Sequence, residues 1–459
     1  MPLGRLFSNI DAGVVALTTA ALAFAAVLFL PALLHDGDIY WHIAAGRWMI
    51  ENTAVLRIDP FSLTHAGHPW QTLGWIGDIL MALAYIGSGW SGVLILFGAA
   101  AAAGAGVLAW QLSRSLQGPA LLGMIALAFV CAAGALVARP YVLAWPLFVI
   151  WLAGLLAARA EDRTPSLKLV LVMILWANLH ASFAVGLILI VPFGIEAAWE
   201  DRRAMRGWGV FAGFSLIAAL ITPYGLGTVN HAFRLMAVPQ PMSSLGLAAL
   251  ALAAIALLAF TSGRAGLKPF RIAVLVWLAY LGLNRTADLM LFAAGAPLLV
   301  AEPLGRAWRM QGQPRRLRWV AALVLAGVMA ATAAYRIAVP AVRADDESTP
   351  GAALARIPAA LIHSPVLNEE RFGAYLIFND VRPFIDDRAG LYGKNFHDRY
   401  LRMMQPDESL LETTLAKQHI RWTILAAENP AVRAMDDMKR WHRLYADAHA
   451  VVHVRNDGP

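Results

Sequence analysis

Two carboxylates flank one glycine in Asp36-Gly37-Asp38, directly after the apolar run Val14 to Leu34. The chain then continues Ile39-Tyr40-Trp41-His42-Ile43-Ala44-Ala45-Gly46-Arg47-Trp48. Carboxylates at i and i+2 can offer hard oxygens to a divalent cation such as Mg2+ or Mn2+, and either can serve as a general base. Gly37 lets the backbone turn sharply between them. A helix starting at Asp38 would be capped by that residue and would put Asp38 and His42 on one face, at i and i+4. Ile39, Ile43 and Ile50, with Trp41 and Trp48, suit a helix lying in a membrane interface with aromatic anchors. The same pattern suits a solvated loop residue followed by a helix cap, and a DxD alone does not separate the two.

The stretch beyond carries Arg57, Asp59, Ser62, His65, His68 and Gln71, and then Asp78 inside an apolar segment. His65 and His68 have the i, i+3 spacing of metal ligands but lack an evident third. A charge such as Asp78 at membrane depth costs a few kcal/mol unless it meets a polar cavity or a partner; otherwise it marks the wet face of an interfacial helix. Further polar residues interrupt the ends of later apolar runs: Arg139, Asn178, His180, Tyr224, Asn230, His231, Arg285 and Asp288. Convergence of these residues on the side of the acidic segment would make one outward-facing polar cavity. There Arg139 and Arg285 could clamp a phosphate by paired hydrogen bonds, or be snorkelling arginines at span ends.

The elements that must position these groups are membrane helices. The chain has 459 residues, is 59% hydrophobic and only 15% charged, and has a mean hydropathy of +0.59. Soluble domains are about a quarter charged, so an ordinary soluble enzyme and a disordered or collagen-like chain are excluded. The net charge of +7 does not imply nucleic acid, because the basic residues lie in short clusters between apolar runs. The single cysteine, Cys131, sits in an apolar run and reads as a small core residue. The first apolar run has one preceding basic residue and no small-residue cleavage site, so it reads as a retained span.

The basic clusters are Arg114; Arg159, Arg163 and Lys168; Arg202, Arg203 and Arg206; Arg264, Lys268 and Arg271; and Arg306, Arg309, Arg315, Arg316 and Arg318. They alternate with basic-poor breaks at Arg139-Pro140-Tyr141, Asn178-Leu179-His180, Thr222-Pro223-Tyr224-Gly225 and Asn284-Arg285-Thr286. By the positive-inside rule the clusters are cytoplasmic. With Arg5, sixteen basic residues then lie inside against five outside (Arg47, Arg57, Arg139, Arg234 and Arg285). That balance requires residues 72 to 90 to be an interfacial helix and not a span. The expectation is eleven spans, near 13-34, 92-111, 119-138, 141-158, 167-180, 182-198, 208-222, 246-262, 272-284, 287-302 and 319-340, with the N-terminus inside and the C-terminus outside.

From Asp345 onward the composition is that of a soluble protein. The pattern reads as strand 365-367, helix 371-378, strand 383-386, helices 396-404 and 410-419, strand 422-426, helix 431-438 and two strands through 444-454, a small α/β domain. The expected organisation is a transmembrane domain over 1-340, with 35-91 as a long first external loop, and a C-terminal α/β domain over 341-459.

This arrangement resembles the GT-C superfamily of membrane glycosyltransferases, which includes protein O-mannosyltransferases, oligosaccharyltransferases and the lipid A aminoarabinose transferase. More narrowly it is similar to a bacterial set of that class. The matching stretches are Asp38 to Trp48, Asp59-Pro60-Phe61-Ser62, Asn178-Leu179-His180, Pro223-Tyr224-Gly225, Gly373-Ala374-Tyr375-Leu376 and Phe384 to Gly393. The resemblance implies a polytopic α-helical membrane protein of about eleven spans with a small extracytoplasmic α/β domain, in the bacterial inner membrane. It further implies transfer of a sugar from a polyprenyl-phosphate-linked donor to a glycan, lipid or protein acceptor at the periplasmic face. Asp36 or Asp38 would be the base or help bind a divalent cation, Arg139 and Arg285 would hold the phosphate, and His42, Asp59, His180 and Tyr224 would line the substrate site. The tail lacks the acceptor-recognition motif of oligosaccharyltransferases, which argues against asparagine glycosylation. Two other readings stay open: a non-catalytic scaffold of an envelope polysaccharide machine, and a lipid or solute transporter. Against the transporter stand the lack of repeated halves and the scarcity of charge at the membrane midplane.

Overall fold

The computed structural model describes residues 11–237, 266–310, 312, 318–405 and 408–456. The expected span 246-262 and the basic residues Arg5, Arg264, Arg315 and Arg316 lie outside the described residues. The chain divides into two compact units, one of Met1–Leu33, Leu73–Gly77 and Gly87–Ala341, the other of Leu34–Thr72, Asp78–Ile86 and Val342–Pro459.

The first unit is helical. Its described helices are α1 (Ala12–Leu28), most of α3 (Trp75–Leu112), α4 (Gly118–Ala133), α5 (Pro140–Ala160), α6 (Lys168–Leu179), α7 (Phe183–Glu200), α8 (Ala204–Ala219), α9 (Leu226–Ala237), α10 (Pro269–Asn284), α11 (Leu289–Ala307) and α12 (Trp319–Ala338). Pro140 and Pro269 open α5 and α10, where a missing N–H and a fixed φ suit the first helical turn. Ten of the eleven expected spans fall on these helices, but among the described residues five stretches are long and apolar enough to cross a membrane: Trp75–Leu112, Pro140–Ala160, Phe183–Glu200, Thr286–Ala307 and Trp319–Ala338. The spans expected at 13-34, 119-138, 167-180, 208-222 and 272-284 coincide with helices of no more than 17 residues. At a rise of 1.5 Å per residue these reach about 26 Å at most, short of a hydrocarbon core of about 30 Å.

Within Trp75–Leu112 the backbone leaves helical geometry at Ser88 (φ −155°, ψ 26°) and Gly89 (φ 57°, ψ −142°). The kink falls between the expected interfacial helix and the expected span, and the positive φ at 89 is one that glycine adopts without strain. α12 has no buried residue, and Trp319, Val320, Leu323 and Val324 are all more than half exposed. An apolar surface of this extent is stable against lipid and not against water.

Glu196 is the hub of an ion-pair network at the ends of α5, α7 and α10. Arg159 Nε lies 3.4 Å, Lys268 Nζ 3.1 Å and Arg271 Nη2 3.3 Å from its Oε1. Glu200 pairs with Arg159 and Lys268, and Glu302 of α11 with Arg271 and Arg306. Basic residues from three of the clusters thus share carboxylates that the charge pattern did not single out. Arg159, Glu196 and Arg271 are buried, so their pairing offsets part of the cost of taking these side chains out of water.

The second unit is built on a four-stranded sheet in the order β1-β2-β4-β3, with β1 Val366–Asn368, β2 Trp422–Ala426, β3 Trp441–Ala446 and β4 Ala450–Arg455. β1 and β2 are parallel, and β4 is antiparallel to both β2 and β3. One face packs Leu354, Phe372, Leu376 and Val381, with the short helices α13 (Gly351–Leu354) and α14 (Gly373–Phe378). The other face packs residues of α15 (Ala389–Met403), α16 (Glu408–Lys417) and α17 (Ala431–Asp437), joined by Leu63 and Trp70 of the first loop. The strand expected at 383-386 is not one. Asn368 Oδ1 accepts the Phe384 N–H at 2.7 Å, and Leu63 N–H and Thr64 Oγ1 donate to the carbonyls of Pro383 and Phe384, so this backbone is satisfied without a ladder. α2 (Ile39–Asn52) belongs to this unit and begins where Asp38 was expected to start a helix.

Candidate functional site

The acidic segment forms a tight turn in which the Asp38 N–H donates to Asp36 Oδ1 at 3.0 Å. Arg343 Nη1 donates to the Asp36 carbonyl at 3.1 Å, while Nη2 reaches Ser348 Oγ at 3.1 Å and Asp346 at 3.4 Å. The same guanidinium lies over the Tyr40 ring, 4.3 Å from its centroid. Residues 343–349 therefore brace the turn, and Tyr40 Oη meets Thr349 Oγ1 at 3.1 Å. Burial raises the Tyr40 hydroxyl well above its ordinary pKa despite the nearby Arg343 charge, so it stays a neutral hydrogen-bonding group. Asp36 and Asp38 are half-buried, and Asp38 stands at the N-cap of α2 without a side-chain cap bond.

His42 pairs with Asp78 instead of facing Asp38. Its Nδ1 is 2.6 Å from Asp78 Oδ1, and the Thr72 hydroxyl donates to the other oxygen of the same carboxylate. Asp78 is fully buried and in the first turn of its helix, where negative charge is favoured by the helix dipole. The cost read from its sequence position is thus met by a partner and not by a wet face. Gly46, one turn beyond His42, makes the approach possible: a Cβ there would collide with the Asp78 carbonyl and lie 2.7 Å from Ala82 Cβ. Gly46→Ala is expected to push α2 away from Asp78 and destabilise the fold by about 1–3 kcal/mol, the usual result of overpacking. Thermal unfolding of the full-length protein in lipid nanodiscs would measure it, and an unchanged melting temperature would refute the tight contact.

Asp59 is buried and committed. Arg388 Nη1 meets its Oδ1 at 2.8 Å, and the N–H groups of Phe61 and Ser62 and the Ser62 hydroxyl donate to it. Arg388 also forks onto Asp386 at 2.8 and 2.7 Å, and Tyr392 donates to Asp386 at 2.6 Å. His65 packs edge-on against Tyr392 and Phe396, while His68 is exposed. Burial and the neighbouring His68 lower the His65 pKa, which keeps it neutral.

The other expected site residues belong to the first unit. Arg139 is half-buried at the N-cap of α5, and the adjacent Tyr141 ring lies 5.8 Å from that of His180. His180 Nδ1 is 3.0 Å from Ser182 Oγ. Asn178 accepts from Trp75 Nε1 at 2.7 Å and donates to the Ile221 carbonyl at 2.8 Å, tying the start of α3 to the ends of α6 and α8. Tyr224 is buried in the turn before α9, whereas Asn230 is exposed. Arg285 donates to the Leu235 carbonyl at 2.7 Å and pairs with Asp288 at 3.6 Å.

Among the described residues no group of three or more His, Cys, Asp or Glu side chains is placed to hold a metal. Asp36 and Asp38 offer two carboxylates, a set that suits Mg2+ or Mn2+ completed by water and substrate phosphate and not a closed protein site. A cleft of about 340 Å3 opens at the carboxyl ends of β1 and β2, lined by Glu369, Glu370, Arg371, Asp387, Glu428 and Asn429. Burial raises the Glu370 pKa there against the pull of His397. The sequence reading did not find Arg343 or the Asp78–His42 pairing; Asp78 carried a signal as a charge needing a partner, Arg343 none.

No family model and no curated protein matches the chain. Among solved structures it is similar to an oligosaccharyltransferase of Archaeoglobus fulgidus in complex with zinc and sulfate. The identity is 13% over 96% of this chain and 73% of that one, with a TM-score of 0.29, too distant to bear on the fold or the chemistry.

Proposed function

We propose that this protein is a GT-C type membrane glycosyltransferase. In this reading it moves a sugar from a polyprenyl-phosphate-linked donor to a glycan, lipid or protein acceptor at the periplasmic face of a bacterial inner membrane. The observation that carries the reading is the braced Asp36-Gly37-Asp38 turn, two half-buried carboxylates directly after the first apolar helix. One of them serves as base toward the acceptor hydroxyl, and the other holds the turn or the acceptor. Arg139 and Arg285 offset the charge that develops on the departing lipid phosphate, with His180 and Tyr224 beside the donor and His42 beside the acceptor. Asp59 acts by fastening the first loop. A divalent cation, when bound by the two carboxylates, would supply further positive charge to the phosphate.

Deleting the gene tests this directly. A polyprenyl-phosphate-linked sugar is expected to accumulate in lipid extracts read by mass spectrometry, together with loss of one envelope glycan; an unchanged lipid-linked pool would sink the reading. A scaffold role is the second reading, favoured by the engagement of Arg285 with Asp288 and the Leu235 carbonyl. It expects truncation after Arg343 to abolish pathway output while the carboxylates are dispensable.

The reading also sets an orientation, with eleven spans, the N-terminus cytoplasmic and the tail periplasmic. Ser166 and Ala66 are exposed, and the native Cys131 is buried. In intact spheroplasts an impermeant maleimide is expected to label Ala66→Cys at once and Ser166→Cys only after permeabilisation. External labelling of Ser166→Cys would reverse the topology.

A further inference from the structure

We propose that a cleft in the C-terminal α/β domain binds a carboxylate-bearing sugar ring, the ring lying on Trp441 and its charge meeting Lys439, Arg440 and Arg455. The cleft has a volume of about 300 Å3 and is walled by α16, by the turn that links α17 to β3, and by the paired ends of β3 and β4. Glu412, Leu415 and Ala416 line it from α16 at i, i+3 and i+4, the spacing of one helix face. Trp441 and Arg455 are directly opposed across β3 and β4, so their side chains share a face of the sheet. The turn is fixed through its backbone. The Trp441 N–H donates to the Met438 carbonyl at 2.9 Å. Asn456 donates through its own N–H to the Arg440 carbonyl at 2.8 Å and through Nδ2 to the Lys439 carbonyl at 2.9 Å. Lys439 and Arg440 are thus presented from a rigid base, which lowers the ordering cost of binding.

The chemistry of the walls selects the ligand. Trp441 is half-buried against the core that holds Leu411 and Leu415, and its indole N–H has neither a hydrogen-bond partner among the described residues nor a seal from solvent. A flat apolar ring with an open donor at its edge suits the C–H face of a pyranose with a hydroxyl oxygen beside it. Lys439 and Arg440 are exposed and form no ion pair among the described residues; with Arg455 they set three cations against the single carboxylate Glu412. Arginine can fork onto a carboxylate, while Glu412 can accept from sugar hydroxyls and opposes a doubly charged phosphate. The volume is at the lower end of small-ligand sites, roughly 300–1,000 Å3, which suits a short saccharide better than an extended peptide. The site does not depend on the transfer reading, because a transferase and a scaffold would both use it to hold an acidic glycan.

Isothermal titration calorimetry on the full-length protein in phosphatidylcholine nanodiscs tests the cleft with three probes: tetragalacturonate, uncharged maltotetraose, and tetraglutamate, which carries similar charge without rings. Tetragalacturonate is expected to bind at least about tenfold more tightly than either of the others, and to weaken as salt is raised. Lys439→Gln/Arg440→Gln, at two exposed positions, should leave the melting temperature unchanged and weaken binding about tenfold or more. Trp441→Leu, which removes the stacking surface, should weaken it about as much. If Trp441→Leu does not fold, protection takes its place: bound tetragalacturonate should slow the acetylation of Lys439 several-fold, read by peptide mass spectrometry. Absence of tetragalacturonate binding at millimolar concentration would overturn the proposal, as would an affinity unchanged in the Lys439→Gln/Arg440→Gln protein or a Lys439 that the sugar does not protect. Equal binding of maltotetraose would remove the charge from the account, and equal binding of tetraglutamate would make the cleft a peptide site; either overturns it.

Discussion

Arg388→Met is expected to destabilise the second unit by about 3–5 kcal/mol, the largest stability loss of any single substitution proposed for this chain. The guanidinium is almost fully buried between Asp59 and Asp386, both sealed from solvent, and lies 4.5 Å from the centroid of the Trp70 ring. Methionine fills much of the space but leaves two carboxylates buried without their cation. Asp59→Asn should cost less, because the amide keeps some hydrogen bonds of the loop and Arg388 retains Asp386. The pairing also sets a pH dependence. Burial alone would raise the Asp59 pKa, but Arg388, the Ser62 hydroxyl and the Phe61 N–H outweigh it and hold the carboxyl below its ordinary range. A carboxylate whose pKa is lower folded than unfolded stabilises the fold above its unfolded value, near 4, and loses that contribution as the pH falls through the folded value. Thermal unfolding in detergent, followed by tryptophan fluorescence, should show the wild type losing stability below about pH 4. Asp59→Asn should lose less over the same window. Equal acid sensitivity in the two proteins would remove the charge pair from the account.

What was legible in the sequence was local. The start of α2 at Asp38, the backbone break near residue 90 and the alternation of basic clusters with polar breaks follow from caps, glycine and charge placement, all readable over a few residues. Asp78 could be marked as a charge in want of a partner, but its partner His42 lies 36 residues away on another helix. Arg388 meets Asp59 across 329 positions, and Arg343 meets the Asp36 carbonyl across 307. A sequence says which groups need satisfying and not which of many arginines will do so. The strand expected at 383-386 failed for a related reason. Its apolar residues are buried as a strand's would be, but the Asn368 side chain and the first loop meet its backbone groups, and such side-chain competition leaves no periodic trace. Helix length was legible at 167-180 and 272-284, which are short even as apolar stretches; at 13-34, 119-138 and 208-222 the turns cut longer stretches to helices of no more than 17 residues.

The Asp36→Asn/Asp38→Asn double substitution should have the largest effect on activity. Asparagine keeps the size of each side chain and can accept the Asp38 N–H through its amide oxygen, as Asp36 Oδ1 does. Arg343 donates to the Asp36 backbone carbonyl, a contact that the substitution leaves in place. What is lost is the capacity to take a proton, and with it general-base catalysis worth about 10²–10⁴ in rate. Product per unit of membrane protein should fall by at least about a hundredfold, with unchanged protein level and melting temperature. The single substitutions assign the base: the carboxylate whose loss reproduces the double effect takes the proton, and the other should cost less than about tenfold. A double mutant that makes product at the wild-type rate would reject the transferase and direct attention to the scaffold, for which truncation after Arg343 and not loss of charge is the damaging change.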